Sequence, residues 1–134
     1  MKRVKGSAMK KLGILAVYLF GSEAYGTATN ISDIDVGIVV KNPKSLQDPL
    51  PLYNAVYVEF AKVFSPTFLR KLDIVFLQNA PIPLQYNAIT SGRILYEEDA
   101  VKRADYEEKV LNHYLDFNPV LEYFDSVASE RYTS

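Results

Sequence analysis

Two stretches of the chain hold residues whose type and spacing could do phosphate chemistry. In "LFGSEAYGTATNISDIDVGIVV", residues 19–40, an apolar run meets Gly21-Ser22, and the next apolar run opens with Asp33 and Asp35. In "LDIVFL", residues 72–77, a third apolar run is interrupted by Asp73 alone. A strand built only for burial gains nothing from a carboxylate. Residues two apart in a strand share a face, so Asp33 and Asp35 stand side by side if the strand has begun by Asp33. Like charges that close raise each other's pKa unless a cation lies between them. Mg2+ meets that need: it takes a few carboxylate oxygens, keeps some waters and binds substrate phosphates with the rest. Asp73 adds a third carboxylate if its strand pairs beside Ile34–Val40. Two such ions would stabilise the attacking and leaving oxygens of an in-line phosphoryl displacement.

Gly21 and Ser22 supply the complementary half. A tight turn after a strand exposes backbone N–H groups to phosphate oxygens, aided by the positive end of a following helix. Glycine lets the backbone approach closely, and the serine hydroxyl adds a donor. The combined expectation is a nucleoside triphosphate held by Gly21 and Ser22, with its metals on Asp33, Asp35 and Asp73. Each part alone has a plainer reading. Gly-Ser can be only a turn, Asp33 can cap one, and Asp73 can be an edge-strand charge that discourages aggregation. Glu59 and Asp99 are rival third carboxylates, but one sits in a predicted helix and the other near a loop.

The elements that must position these groups follow from hydrophobic patterning. Gly13–Phe20 reads as a buried strand ended by Gly21, and "SEAYGTATN" as a turn into a short helix or loop. Ile34–Val40 is a second strand, and "KNPKSLQDPLP" with its three prolines is a loop. Leu52, Val56, Phe60, Val63 and Phe64 form one stripe, predicting a helix over 52–64. "LDIVFL" is a third strand; "NAPIPLQYNAITSG" holds a helix with proline near its start and Gly92 as its stop. "RILYE", 93–97, is a fourth strand. From Asp99 the spacing predicts an amphipathic helix, broken near Pro119 and followed to about residue 131 by a continuation or a second helix. The order predicts an α+β (mixed α/β) fold, a small mixed sheet flanked by helices, as one domain over residues 1–134.

Bulk properties narrow the function classes. With 15 basic against 16 acidic residues the net charge is −1, which disfavours broad electrostatic capture of nucleic acid. There is no cysteine, so any metal must be held by oxygen or by the lone His113, which reads as a packing or surface residue. The basic start "MKRVKGSAMKK" and the apolar "LGILAVYLF" resemble a secretory signal, but no small-x-small cleavage site follows. No apolar run approaches the ~18–20 residues that span a bilayer. The expectation is a cytoplasmic protein with no membrane partner. Tyr106, Tyr114 and Tyr123 read as packing or partner-surface residues, Lys102 and Arg103 as a solvated helix face, and "KRVK" as a loose terminus.

The pattern Gly21-Ser22, ten residues, then Asp33-Ile34-Asp35 resembles the Gly-Ser-x10-Asp-x-Asp signature of the minimal nucleotidyltransferases, relatives of the polymerase beta superfamily. Ser32 before the first aspartate resembles the family as well, "LDIVFL" resembles its third-carboxylate strand, and "GRILYEED" and "HYLDFNPVLEYF" resemble the segments that follow. The resemblance implies a palm-like fold and Mg2+-dependent transfer of a nucleoside monophosphate, commonly AMP from ATP, onto a hydroxyl. It also implies a helical HEPN-domain partner, since some small members are antitoxins that AMPylate a tyrosine of such a toxin. A decayed member would instead neutralise its partner by binding. A homodimer or a heteromer would serve equally. Two departures stand out. Glu23 and Tyr25 occupy positions that are basic in many relatives, with Gly26 retained, and the leading helix of many relatives must be truncated or missing.

Overall fold

Apolar runs this continuous need cover on both faces of a sheet, and both are covered here. The computed structural model describes residues 4–21, 33–67 and 70–133, with side chains described to residue 117. A six-residue helix α1 (Gly6–Lys11) precedes strands β1 (Ile14–Phe20) and β2 (Ile34–Val40). Helix α2 (Leu50–Phe64), strand β3 (Leu72–Phe76), helix α3 (Ile82–Ser91), strand β4 (Arg93–Glu97) and helix α4 (Ala100–Thr133) follow.

The four strands lie in the order β3-β2-β1-β4. β1 runs antiparallel to β2 and β4, while β2 and β3 are parallel, joined by the crossover through α2. Alternation along β2 sends Ile34, Val36, Ile38 and Val40 into a core with Val17, Leu19, Leu72, Ile74 and Phe76. Val56, Phe60 and Phe64 of α2 and Met9 of α1 close that core. The opposite face carries Ala16, Tyr18, Phe20 and Val39 beneath Leu77 and Ala88, with Leu84, Ile89 and Tyr106 packed against them. A register shift between Ile14 and Ala16 places Leu15 in this second core beside Ala16, which strict alternation would forbid.

Local chemistry sets the helix ends. Pro49 and Pro51 open α2, where their missing N–H groups cost nothing, and Ser65 ends it in the left-handed region at φ 47°. Asp99 caps α4: its Oδ1 accepts from the N–H groups of Val101 at 2.9 Å and Lys102 at 3.3 Å.

The expected break near Pro119 does not occur, and α4 continues through it to Thr133. A proline within a helix leaves the carbonyl four residues earlier without its partner. That residue is Leu115, and the helix runs on past the lost bond. Among the described residues no helix is long and apolar enough to cross a membrane.

Candidate active site

The face of β2 opposite the α2 core carries Asp33, Asp35 and Gly37. In the parallel register with β3, Asp35 stands opposite Asp73. Asp33 lies one residue before the assigned strand, where its Oδ1 accepts a hydrogen bond from the Lys71 N–H at 3.3 Å. The Ile34 N–H in turn donates to the Lys71 carbonyl at 2.9 Å. Pairing thus extends past the strand end and fixes Asp33 beside its neighbours. Asp33 and Asp73 are exposed, and Asp35 is half-buried between them.

The electrostatics follow from that placement. The Asp35 carboxyl is pushed up to about 6, first by burial and then by the charges of Asp73 and Asp33, with a carboxyl–carboxyl hydrogen bond to Asp73. Three acids crowd one end of a sheet, and among the described residues no base offsets them at Asp35.

Gly21 closes the site from the other side. Phe20 stands opposite Asp35 across the β1–β2 pair, so the residue after Phe20 turns directly over the Asp35 carboxylate. Gly21 has φ 72°, and a Cβ built there would overlap Asp35 Oδ2. Both conditions favour glycine: the left-handed backbone strains other residues, and a Cβ would have to displace the carboxylate. Backbone approach to the acids is therefore built in. Ser22, Glu23, Tyr25, Gly26 and Ser32 lie outside the described residues.

The rival acids are placed elsewhere. Glu59 pairs with Lys62 along α2 at 3.4 Å, and Asp99 serves as the α4 cap. His113 is exposed and lines a groove of about 480 Å³ with Val39, Val40, Lys41 and Lys109. That groove sits at the far end of β2 from the carboxylates. Sequence reasoning passed over Lys71, although its spacing of two from Asp73 was the available signal.

No group of three or more His, Cys, Asp or Glu side chains among the described residues is gathered into a metal-binding cluster. The donor chemistry nonetheless fits Mg2+. All three acids offer hard oxygen atoms, they repel one another without a cation, and an ion that keeps waters needs only one or two carboxylates.

A family model for polymerase beta nucleotidyltransferases matches residues 2–101. The chain belongs to that family. The match takes in Gly21 and the three acids of the nucleotidyltransferase sheet. A chain of a toxin–antitoxin complex solved with AMP-PNP is 20% identical to this nucleotidyltransferase, with a TM-score of 0.66 over 93% of this chain and 99% of that one. A chain from the complex of a tri-AMPylated HEPN toxin of Shewanella oneidensis with its MNT antitoxin is 17% identical, with a TM-score of 0.61 over 91% of both chains. A chain of an MntA–HepT toxin–antitoxin complex is 19% identical, with a TM-score of 0.55 over 91% of this chain and 92% of that one. At such identities the likeness is one of fold. No curated protein sequence matches the nucleotidyltransferase significantly.

Proposed function

We propose that this nucleotidyltransferase moves a nucleoside monophosphate, AMP from ATP, onto a hydroxyl, and that the hydroxyl belongs to a tyrosine of a HEPN-type toxin for which the protein is the antitoxin. The observation that carries this reading is the approach of the Gly21 backbone to Asp35 while Asp35 faces Asp73 across the β2–β3 pair. A phosphate chain lying along Gly21 and Ser22 would present its α-phosphorus to the acids. Asp33, Asp35 and Asp73 would hold two Mg2+ ions, whose charge would offset the carboxylates and the phosphate oxygens. The acceptor oxygen attacks the α-phosphorus, the bond from that phosphorus to the bridging oxygen breaks, and pyrophosphate leaves. Asp73, exposed at the rim, can take the proton from the acceptor hydroxyl.

Support for the acceptor comes from the company the fold keeps: one similar chain belongs with an AMPylated HEPN toxin, another with AMP-PNP. A second reading makes the protein an occluding antitoxin that binds its partner without transfer. Glu23, beside the expected triphosphate, favours it, and Leu111, Leu115 and Phe117 of α4 offer exposed apolar surface. One experiment separates the two. The protein is incubated with ATP, Mg2+ and a HEPN-domain protein encoded beside it, and the partner is weighed by mass spectrometry. The proposal expects the partner to gain whole AMP units, and the Asp33→Asn, Asp35→Asn double variant to lose transfer by about 10³-fold or more, as removal of a metal-carboxylate pair should. Transfer retained in the double variant overturns the site; a partner bound and silenced at unchanged mass favours occlusion.

A further inference from the structure

Among the described residues no base offsets the charge at Asp35. Positions after the Gly-Ser pair that are basic in many relatives hold Glu23 and Tyr25. A triphosphate brings its own negative charge to three carboxylates, and two divalent ions do not contact every phosphate oxygen. A cation from elsewhere in the fold would serve.

The register of β3 supplies one. Leu72, Ile74 and Phe76 point into the α2 core, so Asp73 points to the opposite face, and so does Lys71 two residues before it. The backbone at Lys71 is held by two bonds: its N–H donates to the Asp33 side chain, Oδ1, at 3.3 Å and its carbonyl accepts from the Ile34 N–H at 2.9 Å. Two residues along a strand span roughly 7 Å, within the sweep of a lysine stem carrying three donors at its tip. Lys71 is exposed, and among the described residues it forms no ion pair. Its ammonium is not engaged with Asp35, whose surroundings are set by Asp73 and Asp33. Arg93 cannot take its place, because it pairs with Leu19, a residue of the α2 core face.

The geometry points to Lys71 as a phosphate-binding residue of this site, its ammonium contacting a non-bridging oxygen of the bound nucleoside triphosphate from the β3 side. The assignment rests on the nucleotidyltransferase reading above and deepens it by naming the group that substitutes for the missing basic positions. The same side chain on a backbone that anchors Asp33 would couple metal and phosphate binding, while substitution of the side chain leaves the N–H to Asp33 in place.

The test is isothermal titration of wild type, Lys71→Ala, Lys71→Arg and Lys71→Glu with AMP-PNP in Mg2+, and with adenosine as a phosphate-free control. Loss of one charge-assisted hydrogen bond should weaken AMP-PNP binding by about 10- to 100-fold in Lys71→Ala. Lys71→Glu should be weaker still, and Lys71→Arg should stay within a few-fold of wild type. Adenosine should bind all four alike, and thermal unfolding of the four should coincide, because the position is exposed. Unchanged AMP-PNP affinity in Lys71→Ala overturns the assignment while leaving the wider reading intact. Equal losses for AMP-PNP and adenosine, not rescued by arginine, also overturn it by showing a structural role. If Lys71→Ala instead raises only the KM for the acceptor protein, the anion belongs to the acceptor and the nucleotide assignment falls. Wild type that fails to bind AMP-PNP overturns both readings at once.

Discussion

Two charged clusters share the second face of the sheet, and they are built on opposite terms. Under α4, Glu97, Arg103 and Glu107 are paired with one another. The Tyr18 hydroxyl donates to Glu107 Oε1 at 2.8 Å, Arg103 Nη1 donates to the same oxygen at 2.7 Å, and Arg103 Nε reaches Glu97 Oε2. Tyr106 donates to Gln85 at 2.8 Å, and Gln85 donates to the Ala80 carbonyl at 2.8 Å. Burial and Glu107 both push the Tyr18 phenol up, so it stays a donor. At the other end of β1 and β2, acid meets acid. Asp35 faces Asp73 with Asp33 beside them, and among the described residues no base offsets Asp35. A polar cluster that closes on itself holds α4 to the sheet. One left open at a sheet end stores repulsion that a proton relieves below about pH 6 and a bound cation above it, which is why it reads as a site.

Gly21→Ala should break the open cluster most severely. Alanine at φ 72° is strained, and its methyl would collide with the Asp35 carboxylate. The backbone must retreat or Asp35 must swing out, and either displaces the phosphate from the metals. Misplacement by about 1 Å can cost roughly 10²-fold in rate. Transfer should therefore fall at least about 100-fold, while denaturant unfolding shows a loss of about 1–2 kcal/mol from the left-handed alanine. Wild-type rates from Gly21→Ala would refute the close approach as a functional contact.

Glu107→Ala should do the reverse, sparing chemistry and weakening the fold. It strips the acceptor from the buried Tyr18 hydroxyl and one of two acids from Arg103. Urea unfolding should show a loss of about 2 kcal/mol, the range for a partly buried charge-assisted bond whose partners stay behind. AMP transfer per folded molecule should be unchanged. A loss of transfer equal to that of Gly21→Ala would collapse the distinction between the two clusters.

The difference between the clusters also explains what the sequence disclosed. Ile34–Val40 and Arg93–Glu97 are found over the ranges that patterning predicts, because short apolar runs bounded by turns leave little freedom. The approach of Asp35 to Asp73 was legible because period-two alternation fixes faces once two strands pair in parallel. Two things were not legible. The α4 network joins residues 89 apart, Tyr18 and Glu107, and no local spacing announces such a pair. Pro119 predicts a break because it removes one bond of the helix ladder, yet the helix keeps its course with that single bond lost, which local spacing does not announce. Lys71 falls between these cases. Its spacing from Asp73 was visible, but its amide contact with Asp33 required the crossover through α2.

The mildest test of the comparison is a pH dependence. Asp35 moves from 3.8 to about 6 on folding. Between those values the folded chain holds a proton that the unfolded chain has released, so the metal-free protein loses stability as pH rises through the window and levels off above it. The full shift would correspond to about 3 kcal/mol. Asp35 is only half-buried, and solvent screening should reduce this to about 1 kcal/mol. Asp35→Asn removes the titration, so the variant should be about 1 kcal/mol more stable than wild type at pH 8 and equal to it near pH 4, as read by urea unfolding in a chelator. Glu107→Ala should show the opposite sign at pH 8, since it deletes a partnered acid. If Asp35→Asn is destabilising at pH 8, the carboxylates are not in mutual repulsion, and the contrast between an open and a closed cluster loses its physical basis.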